Sequence, residues 1–128
     1  MSVYQIDNSL TPVATSTAGA AQSNAATVPA ASGKLSYIEG FDVTGGGATA
    51  ASVVEVSITG LQSAIGTLKF EMNVLAGATG PVNAQGGLFI RFPQPLPASG
   101  VNSAITVTCP SLGAGNTNAS VTAYGYQK

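Results

Sequence analysis

The chain has 128 residues, of which four are basic and five acidic, for a formal net charge of −1 and a charged fraction of 7%. That length fits one domain with a real core. The missing Lys/Arg clusters exclude a nucleic-acid footprint, and the hydrophobic content of 45% argues against general disorder. No apolar run approaches the roughly 18 residues of a membrane-spanning helix, and MSVYQIDNSL has neither the basic nor the apolar region of a secretory signal. The single Cys109 rules out an intrachain disulfide and fits synthesis in a reducing compartment. A surface so poor in charge repels its neighbours weakly, which suits a protein packed against copies of itself or against a larger body.

In chain order, residues 1–33 are expected to form an extended N-terminal arm, biased over 7–33 toward Ala, Ser, Thr and Asn. Two short strands are possible within it, VYQI (3–6) and ATVPA (26–30). Pro29 restricts the second to an edge or a strand end, because it has no N–H to donate.

Residues 34–128 read as a sheet-forming body. In KLSYIEGFDV (34–43) the apolar residues Leu35, Tyr37, Phe41 and Val43 share one phase, interrupted by Glu39. SVVEVSITG (52–60) aligns Val54, Val56 and Ile58, and TLKFEMNV (67–74) aligns Leu68, Phe70, Met72 and Val74. GLFIRF (87–92) turns Leu88, Ile90 and Phe92 inward and Arg91 outward. AITVTC (104–109) groups Ile105, Val107 and Cys109, and NASVTAYGY (118–126) sets Val121 on one face with Tyr124 and Tyr126 on the other. Period-2 alternation broken by Gly/Pro/Asn turns, with no helical repeat, predicts an all-β antiparallel sandwich. Six to eight strands in this length suit a jelly-roll-like arrangement, with an immunoglobulin-type sandwich as the alternative.

Several motifs invite chemical readings. Gly45, Gly47 and Ala50 satisfy the G-x-G-x-x-G/A spacing of a dinucleotide turn. That turn works by aiming backbone N–H groups and a helix N-terminus at pyrophosphate. Here the following segment alternates as a strand, and position 62, where a ribose-binding acid would fall, is Gln. Gly45 to Gly47 are therefore expected to supply positive φ for a corner. PQPLP (93–97) resembles a polyproline ligand, but is read as a stiff connection from a strand ending at Phe92 to one starting near Ala104.

There is no histidine, so the commonest general base and metal ligand is missing. Cys109 lies on an inward phase, where it acts as a small hydrophobe. The five carboxylates are dispersed, with no calcium-loop spacing. Asp42 and Glu39 could meet another carboxylate in space and hold a cation, or Glu39 could pair with Lys34 or Arg91. No catalytic, cofactor-binding or metal residue is assigned, and no cofactor is expected. The Asn118-Ala119-Ser120 sequon is expected to be inert without secretion. The candidate assembly contacts are Val3, Tyr4 and Ile6 in the arm, and Tyr124 and Tyr126 on the last strand. Those two tyrosines either form an exposed contact surface for protein or sugar, or pack within the sandwich with their hydroxyls to solvent.

The succession GKLSYIEGFDVTGGGATAAS (33–52), FPQPLPASGVNSAITVT (92–108) and LGAGNTNASVTAYGYQK (112–128) resembles small virion proteins of tailed bacteriophages, in particular jelly-roll head-decoration (cement) proteins. The resemblance lies in the glycine-rich corners, the N-A-S-V-T-A last strand and the near absence of charge. It implies a non-enzymatic, homo-oligomeric β-sandwich, commonly trimeric, that attaches to the major capsid protein or other virion subunits and reinforces the head. It implies no nucleic-acid or membrane partner, a place on the capsid surface, and residence in the host cytoplasm before assembly. A tail or fibre module that binds a host-surface glycan or protein is the alternative, motivated by Tyr124, Tyr126 and the polar loops at 44–52 and 76–87.

Overall fold

The structure, a computed structural model, describes residues 11–77, 87–116 and 118–128. The described residues contain eight strands and no helix: β1 (Thr11–Gly19), β2 (Asn24–Val28), β3 (Ser36–Gly46), β4 (Ser52–Thr59), β5 (Leu68–Val74), β6 (Leu88–Pro97), β7 (Ile105–Cys109) and β8 (Asn118–Gln127). They form two antiparallel four-stranded sheets, ordered β1-β8-β3-β6 and β2-β7-β4-β5. The two sheets pack as a sandwich, and successive strands frequently cross from one to the other. That alternation is consistent with the jelly-roll expectation.

Alternation decides which side chains meet between the sheets. Val54, Val56 and Ile58 of β4, Met72 and Val74 of β5, Ile105, Val107 and Cys109 of β7, and Val121 and Ala123 of β8 are all buried. Leu88, Ile90 and Phe92 of β6 pack against this core while partly exposed. Phe41 sits at its centre, fully buried, with its ring 5.2 Å from Phe70 and 6.5 Å from Phe92.

β3 departs from the simple alternation. Ser36 and Ile38 point inward, and then Phe41 and Val43 do, so the inward phase switches from even to odd. The switch is a β-bulge: Ile38 pairs with Gly125 and Gly40 with Tyr124, which leaves Glu39 as the extra residue. The bulge keeps Glu39 outside and turns Tyr37 outward too, against the expectation that Tyr37 shares the face of Phe41. On the other side of β3, the residues between Arg91 and Leu96 all lie opposite that one extra residue. PQPLP is therefore not a connection after the strand; it lies within β6, which runs on to Pro97. The prolines are tolerated because β6 is a sheet edge and is irregular at that point.

Residues 11–28 also differ from the expected arm. β1 pairs along its whole length with β8, and β2 pairs with β7, so both belong to the sandwich. The strand expected at 26–30 is shifted to Asn24–Val28, and Pro29 ends it. The strand expected at VYQI (3–6), with Val3, Tyr4 and Ile6, lies outside the described residues.

The glycine corner after β3 leads into a strand, β4, so no helix N-terminus follows it. Gly45 and Gly46 are extended and belong to β3; only Gly47 takes a positive φ, of 84°. Asn116 helps tie this end of the sandwich: its Nδ2 donates to the Gly46 carbonyl at 2.7 Å and its Oδ1 accepts from the Ala21 N–H at 3.0 Å.

Candidate functional site: the outer face of the β1-β8-β3-β6 sheet

The pairing register lays out this face in rows. Pro12, Tyr126 and Tyr37 form one row, Ala14, Tyr124, Gly40 and Arg91 the next, and Ser16, Thr122, Asp42 and Phe89 the third. Outward phase on β8 brings Tyr124 and Tyr126 here, and the Glu39 bulge brings Tyr37 and Asp42 onto the same face. Without that extra residue, either Tyr37 or Asp42 would point into the core.

Tyr37 and Tyr126 stack across the strands, with centroids 4.8 Å apart and planes 20° from parallel. Burial raises the Tyr126 pKa, and the neighbouring Tyr37 and Glu39 add to the shift. Beside them, Arg91 donates to Asp42 through both terminal nitrogens, at 2.9 Å and 3.3 Å. The Tyr124 hydroxyl donates to Asp42 Oδ2 at 2.9 Å, and the Arg91 guanidinium lies 4.5 Å from the centre of the Tyr124 ring. The bond from Arg91 is the main reason that the Asp42 pKa is lowered, a shift that partial burial opposes and the Tyr124 hydroxyl assists. Reciprocally, the bond to Asp42 raises the pKa of both Arg91 and Tyr124.

Gly40 makes this arrangement possible. A Cβ there would stand 2.3 Å from the Ile90 carbonyl and 2.8 Å from Arg91 Cδ, so any side chain would push Arg91 off the strand. At the edge of the same face Phe89 is 65% exposed, an uncovered apolar ring directly across from Asp42.

The structure thus brings Tyr124 and Tyr126 together on one exposed-side surface, with their hydroxyl-bearing rings half-buried. It pairs Arg91 with Asp42, not with Glu39. Among the described residues there is no group of three or more His, Cys, Asp or Glu placed to hold a metal ion. Cys109 is buried, and burial pushes its thiol pKa up to about 11. Sequence reasoning missed Tyr37, Gly40 and Phe89 as parts of this face. The available signal was Glu39 itself: a charge on the apolar phase of an otherwise alternating strand marks a phase change.

Comparison with protein families, with curated proteins and with solved structures finds no match for this chain.

Proposed function

We propose that the chain is a non-enzymatic virion structural protein, a head-decoration or cement subunit that binds an assembled shell through the tyrosine face. The observation that carries this reading is the state of that face before any partner arrives. Its tyrosines are held by stacking and hydrogen bonds, and its charged pair is neutralised internally. Such a surface loses little side-chain entropy on docking and leaves no isolated charge to desolvate. Tyrosine and arginine are also the residues that most often anchor interfaces. The low overall charge and the resemblance to phage head proteins supply the setting: the major capsid protein as partner, self-association of the subunit, and a place on the capsid surface.

An enzyme is less well supported. Asp42, the acid best placed on this face, already accepts from Arg91 and Tyr124 and is held ionised, which makes it a weak base. The glycan-binding alternative needs open aromatic faces. Tyr37 and Tyr126 cover one another's faces and Arg91 lies over Tyr124, so less ring surface is free for a sugar.

The test uses heads assembled from the major capsid protein of the same phage and lacking this subunit. Wild-type protein is expected to co-sediment with them to saturation, and the Tyr124→Ala/Tyr126→Ala variant to lose at least about tenfold in affinity. Deleting residues 1–10 removes Val3, Tyr4 and Ile6 without cutting into β1, and measures what those contacts add. Equal occupancy by the double variant, or no binding by wild type, would reject the proposal.

A further inference from the structure

The two sheets have four edge strands, and three of them are guarded against pairing with another chain. β6 carries Pro93, Pro95 and Pro97 and bows out opposite Glu39. β5 carries Lys69 and Glu71, and Lys69 sits 3.4 Å from Glu55 of β4. β2 is five residues long, and the β1 hydroxyls of Thr15 and Thr17 cap its Thr27 and Ala25 carbonyls.

Among the described residues, β1 has no such device. It is nine residues long, contains no charged residue, and pairs with β8 without a register break. Its only proline, Pro12, is next to its start. Which of its backbone groups face outward follows from the other side of β8. Lys128 and Leu35 exchange both main-chain bonds, at 2.9 Å and 3.0 Å, so even-numbered residues of β8 face β3 and odd-numbered ones face β1. The odd residues of β1, which pair with the odd residues of β8, are thereby satisfied. Ala14, Ser16 and Ala18 present their N–H and C=O groups to the open side.

We propose that this edge pairs with β1 of a second copy, antiparallel about a two-fold axis at Ser16, to join two four-stranded sheets into one. The edge is its own complement. Turned end for end about Ser16, it sets Ser16 against Ser16 and Ala14 against Ala18 of the other copy. Three hydrogen-bonded pairs with two bonds each give about six main-chain hydrogen bonds. Pro12, whose missing N–H would leave an acceptor unmatched, falls outside the paired stretch. A register one pair over would place Pro12 opposite Ala18 at both ends and leave both Ala18 carbonyls without a donor. The side chains brought together are Ala, Ser and Thr, so neither bulk nor like charge opposes the contact. Most of the tyrosine face stays clear, since Tyr124 and Tyr126 lie one strand in from the new seam. The contact does not depend on what the assembly is attached to: failure to bind heads would leave it standing.

Light scattering across a concentration series reads the mass, and the expected limit is twice the 12.6 kDa chain. Ala14→Lys/Ala18→Lys sets lysine against lysine across the axis and should weaken association at least about 100-fold. Its circular dichroism should match wild type, because both side chains are exposed and their backbone groups are not bonded to β8. Ser16→Cys should form a disulfide-linked dimer on mild oxidation, with buried Cys109 left unreacted. Several results overturn the proposal: wild type monomeric throughout, an oligomer that survives the lysine pair, a dimer that Ser16→Cys fails to link, or association lost when residues 1–10 are removed.

Discussion

The outer face of the β1-β8-β3-β6 sheet carries Tyr37, Tyr124, Tyr126 and Phe89 around one self-neutralised ion pair. The outer face of the β2-β7-β4-β5 sheet carries Thr27, Thr106 and Thr108, with Glu55 set directly across from Glu71. Both faces come from the same alternation over one shared core, but their side chains are restrained very differently. On the first, the three tyrosine rings and the Arg91–Asp42 charges have defined partners within the sheet, and Phe89 stays uncovered at its edge. On the second, the threonine hydroxyls meet at 3.3 Å and the Lys69–Glu55 pair is well exposed to water. A face that is fixed in advance is suited to contact; a face that, apart from the exposed Val53, presents mainly short hydroxyls and hydrated charges is suited to staying wet.

The largest effect should come from removing what both faces share. Phe41→Ala takes out the ring that links Phe70 of one sheet to Phe92 of the other. It should lower unfolding stability by about 3–5 kcal/mol in a denaturant titration. Next comes Gly40→Ala, which forces a Cβ against the Ile90 carbonyl and Arg91. It should cost about 1–3 kcal/mol and loosen the tyrosine face selectively, visible as a change in near-ultraviolet circular dichroism.

Acid should separate the faces more finely. Because the folded Asp42 pKa is lowered below its unfolded value, its contribution is complete above the unfolded pKa and is lost as pH falls through the folded one. Thermal melts from neutral pH to about pH 3 should therefore lose less stability in Asp42→Asn than in wild type. The smallest effect belongs to the second face: Lys69→Ala should change stability by less than about 0.5 kcal/mol, because that pair is exposed and screened.

Much of the fold was legible because alternation survives in any strand with one covered face. Five segments, 52–60, 67–74, 87–92, 104–109 and 118–126, kept their expected inward phase. β1 was not legible, since Thr, Ala and Ser carry little contrast in hydrophobicity between its two sides. Its place depends on pairing with β8, a hundred or more positions away. β3 was half legible: a single inserted residue reverses the phase, and only Glu39 hinted at it. Tyr124 and Tyr126 could be named from phase alone. The Arg91–Asp42–Tyr124 cluster could not, because it spans three strands whose register is set by the bulge.

The central claim is that the tyrosine face meets the shell. Imaging a decorated head at residue resolution tests it most directly. Tyr124 and Tyr126 should lie within contact distance of a capsid subunit, with the threonine face turned to solvent. A subunit seated on the threonine face, with both tyrosines exposed to bulk water, would contradict it.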